Sequence, residues 1–155
     1  MPDYENELII KVPRFEKKHG FSTSSKRSAL MSKIKGKNTS PEITLRKSLW
    51  KIGLRYRLHN KRLPGNPDIV MRKYMLVIFI DGEFWHGFNW EQKKLKIKAN
   101  RCFWIPKIER NIQRDNINNV KLENLGFTVL RFWEQDIKKN LDGSLLKITE
   151  FINSH

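Results

Sequence analysis

Residues 68 to 82 constrain the fold of this chain more than any other stretch. Met75-Leu76-Val77-Ile78-Phe79-Ile80 is apolar at every position. A run with no polar face belongs to a strand in the middle of a sheet covered on both sides. It stops at Asp81-Gly82. Ahead of it, Asp68-Ile69-Val70-Met71 reads as a second strand, and Arg72, Lys73 and Tyr74 as the tight turn between them. A turn centred on Lys73-Tyr74 sets residue 68 opposite residue 79. Asp81 is then a diagonal neighbour of Asp68 on the same face, about 7–8 Å away. One more residue in the turn sends the two carboxylates to opposite faces.

Around this hairpin the other elements fall into place. Asn38-Thr39-Ser40-Pro41-Glu42 opens a helix, with Thr39 and Glu42 as a capping box or with Ser40 as cap and Pro41 at the first helical position. It runs to about Gly53, with Leu45, Leu49, Ile52 and Glu42 on its inward face. Residues 55–59 read as a short edge strand, 63–67 as a loop rich in breakers and 90–100 as a short basic helix. Pro106 opens a longer helix with Ile108 and Ile112 inward and Gly126 closing it. Residues 127–133 are another strand. A helix from Glu134 and a last one, capped by Ser144 and ending near Ile152, complete the chain. The order gives an α/β fold, a mixed sheet flanked by helices. Residues 1–28 lack sustained periodicity and read as a mobile basic arm.

A chain of 155 residues makes one ordinary domain. Its 31 Lys and Arg against 16 Asp and Glu give a net charge of +15, which calls for a polyanionic partner, nucleic acid ahead of an anionic membrane. No apolar run approaches the roughly 20 residues of a membrane span. The basic segments also lack the broad apolar face of a membrane-surface helix. Cys102 is the single cysteine, which excludes an intrachain disulfide and a zinc site built on cysteine pairs. It fits a reducing cytoplasm, as does the acidic start of the chain, which lacks a signal-peptide pattern. Between residues 91 and 114 stand eight Lys and Arg against two acids. Arg101, Lys107, Arg110 and Arg114 among them, and Lys33 earlier, are candidates to hold a phosphate backbone. The lysines at 93 to 98 also read simply as a solvated helix face.

The candidate chemistry gathers near the hairpin. Two carboxylates such as Asp68 and Asp81 can hold a hard divalent cation such as Mg²⁺. They read equally as a loop cap and a strand-ending turn. Glu42 is a third acid on a core-facing surface. His86, in Glu83-Phe84-Trp85-His86-Gly87, suits a general base or proton relay. Phe84 and Trp85 are large adjacent aromatics that can pack in a core, or stack on or wedge between bases.

Eight stretches in order carry a resemblance. They are Met31-Ser32-Lys33-Ile34; Thr39-Ser40-Pro41-Glu42; Gly53-Leu54-Arg55-Tyr56-Arg57; Leu63-Pro64-Gly65-Asn66-Pro67-Asp68-Ile69-Val70; Asp81-Gly82-Glu83-Phe84-Trp85-His86-Gly87; Phe103-Trp104-Ile105-Pro106-Lys107-Ile108; Asn111 with Arg114-Asp115; and Gly126 through Phe132-Trp133-Glu134. From about Ser28 to Lys138 the chain resembles the very short patch repair (Vsr) DNA mismatch endonucleases, a branch of the PD-(D/E)XK nuclease superfamily. The resemblance implies a restriction-endonuclease-like αβββαβ core over residues 29–155. It implies a Mg²⁺-dependent nick beside the thymine of a T·G mismatch in double-stranded DNA. It implies a monomer acting at the bacterial nucleoid, with repair-pathway proteins as further partners.

Carried over, Asp68 binds the metal together with the backbone carbonyl of Ile80. His86 serves the attacking water or the phosphate, and Glu42 helps arrange that histidine and the metal's waters. Asp81 stands where the superfamily usually has lysine. Phe84 and Trp85 insert beside the mismatch, while Met31, Lys107 and Asn111 enter the grooves or meet the mismatched pair. Many relatives hold a structural zinc. The matching positions here are Glu83, Phe88, Trp90 and Gln135, so no zinc is expected, and Phe88 and Trp90 should tie that loop down by packing. Two other readings fit the same scaffold: a sequence-specific type II restriction endonuclease, and a catalytically inactive DNA-binding protein.

Overall fold

A computed structural model describes residues 8–155, so the first seven residues of the expected arm lie outside them. The chain forms two compact units. One is Lys37–Glu83 with Asn118–His155, and the other is the chain up to Gly36 with Phe84–Ile117.

The first unit holds the sheet. Its strands are β1 (Arg57–Leu58), β2 (Ile69–Met71), β3 (Leu76–Asp81) and β4 (Thr128–Trp133), in the order β1-β2-β3-β4. β1–β2 and β2–β3 are antiparallel and β3–β4 is parallel. Met71 pairs with Leu76 and Ile69 with Ile78. The same register sets Asp68 opposite Phe79, as the turn centred on Lys73-Tyr74 requires. Every residue of β3 is buried. Ile78 and Ile80 join Ile69 and Met71 against Leu45 and Leu49 of α2 (Ser40–Lys51), Ile137 of α5 (Glu134–Lys139) and Ile148 of α6 (Leu141–Asn153). Val77 and Phe79 join Val70 on the other face, with Leu122 and Phe127. Each such aliphatic side chain contributes about 1.5–3 kcal/mol on burial.

Helix ends decide one alternative of the sequence reading and explain two departures from it. Thr39 is the cap of α2, accepting a hydrogen bond from the Glu42 amide at 3.5 Å. Ile52 is 50% exposed instead of inward. The helix stops before it, Gly53 turns the chain at φ 93°, and the Leu54 amide returns to the Leu49 carbonyl at 3.0 Å. Leu54 therefore packs on the core in place of Ile52. For α6, Asn140 is the cap, accepting from the Gly143 amide at 3.1 Å. Ser144 lies one turn in and bonds back to the Asn140 carbonyl.

The second unit contains α1 (Ser25–Ser32) and α3 (Trp90–Lys96). It also contains the larger part of α4 (Arg101–Asn124), which continues into the sheet unit. The expected boundary at residue 28 falls inside α1. Phe21, in the stretch read as an arm, is buried and packs on Phe15 and Phe103 at ring separations of 5.7 and 5.6 Å. The Gln113 side chain donates to the Leu8 carbonyl and accepts from the Ile10 amide. Pro106 does not open α4. The helix begins five residues earlier, where the Asn100 carbonyl accepts from the Phe103 and Trp104 amides at 3.0 Å. Proline removes one helical bond, to the Cys102 carbonyl, and Cys102 is exposed, so water can replace it. Among the described residues no helix is long and apolar enough to cross a membrane.

Candidate active site

In the sheet unit the site is a product of register. The Oδ2 atom of Asp68 accepts from the Ile80 amide at 2.8 Å. That amide thus points toward β2, and in an extended strand the carbonyl of the same residue points the same way. Extending the register of β2 and β3 puts Pro67 opposite Ile80. Proline has no N–H to give, so the ladder cannot satisfy the Ile80 carbonyl from that position.

Two further side chains approach Asp68. Glu42, on the inward face of α2, is 3% exposed. Its Oε2 accepts from the Asn38 amide at 2.9 Å and from Arg46 at 3.3 Å. His59 follows β1 in a left-handed conformation, φ 46°, and its amide donates to the Asp68 carbonyl at 3.3 Å. His59 Nδ1 lies 3.8 Å from Asp68 Oδ1, and Nε2 lies 3.7 Å from Glu42 Oε2. Glu42, His59 and Asp68 form a group whose ligand atoms all lie within 4.8 Å of one another. Burial holds His59 below the ordinary imidazole pKa of 6.5; Glu42 pulls it up, and Arg46 and Lys37 push it down. The neutral ring, which carries a lone pair for a metal, is the favoured form. Two carboxylates, an imidazole and a carbonyl that Pro67 cannot satisfy fit a divalent cation.

Asp81 is held elsewhere. Both of its carboxylate oxygens accept from Arg131 Nη1 at 3.0 Å, and it is 5% exposed. Arg131 stands opposite Phe79 in the parallel register, its guanidinium 4.0 Å over the Phe79 ring, and its Nε donates to Asn119 at 2.8 Å.

In the other unit, His86 Nδ1 lies 2.5 Å from Asp115 Oδ2. The Asn111 side chain donates to the Trp85 carbonyl at 2.9 Å. Gly87 sits at φ 72°, where a Cβ atom would come within 2.4 Å of Ile112 Cδ1. Only glycine lets this loop lie so close to α4. Phe84, Trp85 and Trp104 form an edge-on cluster with ring separations of 5.1 to 5.7 Å. They line a cavity of about 1050 Å³ with Met31, Arg27 and Phe103.

Similarity to known proteins decides what this constellation belongs to. The family described as DNA mismatch endonuclease Vsr matches residues 20–92. The type II nicking enzyme V.NmeDIP of Neisseria meningitidis serogroup C is 49% identical over 118 residues, 76% of this chain and 80% of that protein. The type II nicking enzyme V.HpaIIP of Haemophilus parainfluenzae is 42% identical over 127 residues, 82% of this chain and 90% of that protein. The DNA mismatch endonuclease Vsr of Escherichia coli (strain K12) is 38% identical over 109 residues, 70% of this chain and 69% of that protein. The chain belongs to the Vsr family.

Its mixed sheet flanked by helices is the restriction-endonuclease-like fold of Vsr endonucleases. Of the residues singled out from the sequence, the sheet unit of this Vsr protein brings Glu42, Asp68 and Ile80 together and ties Asp81 to Arg131 instead. The other unit gathers His86, Asn111, Phe84, Trp85 and Met31. Arg101 donates to the Lys94 and Ile97 carbonyls at 2.8 and 2.6 Å, so it secures the end of α3. Arg110 reaches Gln113 at 3.4 Å. Lys33 and Arg114 are exposed and Lys107 is half-buried.

At two of the positions matched from the resemblance to zinc ligands, the Glu83 carboxylate accepts from the Gln135 amide at 2.6 Å. In the other unit, Trp90 is buried and donates to Glu109 at 3.2 Å, and Lys93 lies 5.1 Å from the Phe88 ring. Sequence reasoning missed His59, Arg131 and Trp104. The signal for His59 was present: pairing residues 55–59 with β2 in the register Leu58–Ile69 sets His59 opposite Asp68.

Proposed function

We propose that this Vsr endonuclease nicks one strand of duplex DNA at T·G mismatches by Mg²⁺-dependent phosphodiester hydrolysis. The observation that carries the reading is the pocket made by Asp68, Glu42 and the Ile80 carbonyl that Pro67 cannot satisfy. These groups would hold the cation, which when bound polarises the scissile phosphate and lowers the pKa of a coordinated water. The Asp115 carboxylate engages His86 at Nδ1 and fixes the ring. Its Nε2 would take a proton from water or give one to the leaving oxygen.

Phe84, Trp85 and Trp104 offer flat apolar faces to an unstacked step. A mismatched step opens at lower cost than a matched one, which is a physical source of selectivity. Arg114, Lys107 and Lys33 lie free enough of internal bonds to meet phosphates. Asp81, neutralised by Arg131, supports the end of β3 and takes no part in proton transfer. The positions Glu83, Phe88, Trp90 and Gln135 are not a zinc donor set, so the protein needs no structural zinc. We place its action at the nucleoid in the bacterial cytoplasm, as a monomer.

An end-labelled duplex, matched or carrying one T·G pair, tests this with and without Mg²⁺. A single cut in one strand of the mismatched duplex, dependent on the cation, is the expected result. Cleavage of both strands of the matched duplex would instead identify a restriction endonuclease.

A further inference from the structure

We propose that His59 is a third protein ligand of the catalytic cation, and that it biases the site toward first-row transition ions such as Mn²⁺ over Mg²⁺. The inference rests on the reading of Asp68 and Glu42 as the metal centre and adds to it a residue and a preference.

The orientation of the Asn38 side-chain amide fixes which ring nitrogen of His59 carries the hydrogen. Asn38 has a side-chain atom 2.8 Å from Arg46 Nη2. Arginine only donates, so that atom is the oxygen. The same oxygen lies 3.3 Å from His59 Nε2. An oxygen accepts here, so Nε2 carries the hydrogen. In the neutral ring Nδ1 then presents its lone pair, and it faces Asp68 Oδ1 at 3.8 Å. A ring lone pair and a carboxylate oxygen turned toward one another are two donors for a single cation, and Glu42 completes a group of ligand atoms all within 4.8 Å. The separation of Nδ1 from Oδ1 is longer than a hydrogen bond. It falls within the roughly 3 to 4.3 Å that separates two ligands held about 2.1 Å from one ion.

The surrounding structure holds the donors in place as outer partners of a metal site do. Asp68 Oδ2 is tied to the Ile80 amide, and Oδ1 lies 3.8 Å from the ring nitrogen. Glu42 Oε2 is tied to the Asn38 amide. The His59 amide is bonded to the Asp68 carbonyl, so the two ligands share one strand pairing. Imidazole suits transition ions, whereas Mg²⁺ prefers an all-oxygen shell. An imidazole therefore favours Mn²⁺ while adding little for Mg²⁺.

The test is binding of Mn²⁺ to the full-length, metal-free protein, followed by electron paramagnetic resonance. Pulsed measurement on the loaded protein reads nitrogen coupling to the ion. The parent should show coupling from a directly bound imidazole. His59→Asn keeps a residue that tolerates the left-handed backbone, and it should lose that coupling. It should also bind Mn²⁺ on the order of tenfold more weakly, with Mg²⁺ competition nearly unchanged. His59→Gln should behave the same way. If both variants keep the nitrogen coupling while Asp68→Asn loses Mn²⁺, the proton fills the gap, His59 is not a ligand, and the metal centre stands without it. If Asp68→Asn binds Mn²⁺ like the parent, the centre itself has been misplaced and the role of His59 falls with it.

Discussion

The two units of the molecule organise functional residues in different ways. In the sheet unit, Asp68, His59 and Ile80 are brought together by strand pairing. Each position follows from the one before it by a register that the buried β3 does not let slip. In the unit of Phe84–Ile117, side chains from a loop and the first turns of α4 meet through ring packing. Register fixes a carboxylate relative to a carbonyl within fractions of an ångström, which metal chemistry needs. Aromatic packing tolerates adjustment, which suits a surface that must fit a distorted helix. On the reading proposed above, chemistry sits on the rigid ladder and recognition on the adaptable cluster.

Four experiments would break or sharpen that contrast. The largest effect is expected at Asp68. Asp68→Ala should lower nicking at least about 10³-fold while DNA binding, read by gel shift, stays near the parent level. A parent-like cutting rate would show that the ladder does not carry the chemistry. Next is the buried ion pair. Arg131→Leu removes the cation that both Asp81 oxygens accept from and should cost about 3–5 kcal/mol in denaturant unfolding. Asp81→Asn should cost less and keep nicking within about tenfold of the parent, as expected of a group outside proton transfer. Loss of activity without loss of stability in Asp81→Asn would return it to the reacting groups.

For the adaptable cluster, Trp104→Ala should weaken binding to mismatched duplex by about 1–3 kcal/mol in a titration. It should leave the metal-free melting of the sheet unit's core residues little changed. A loss of Mn²⁺ affinity in that variant would erase the division of labour. The smallest effect is a cap. Asn140→Ala should lower stability by about 1 kcal/mol and Ser144→Ala by less. The reverse ranking would show that α6 starts a turn later than described.

The sheet was legible because its signal is long and one-sided. Six apolar residues in a row ended by Asp81, and a turn of countable length, define β2, β3 and their register together. Helix ends were less legible, because they depend on competition between neighbours. Leu54 displaced Ile52 through the reversal at Gly53, and Asn140 capped α6 ahead of Ser144. Pro106 misled because a single missing donor near an exposed helix start costs too little to define the end.

Within the site, Asp68 and Glu42 were singled out from the hairpin and the helix start, and the Ile80 carbonyl from the family resemblance. His59 is nine positions from Asp68 along the chain, and it emerges only when β1 is paired with β2. Arg131 is fifty positions from Asp81, across a parallel pairing that needs the whole crossover to be known. Phe103 and Trp104 lay before the assumed helix start and so had no assigned face.

Pro67 has a consequence that reaches past this one pocket. Any other amino acid there would carry an amide hydrogen where proline has none. In the proposed metal centre, a single imino acid thus keeps an atom of the scaffold at the disposal of the reaction.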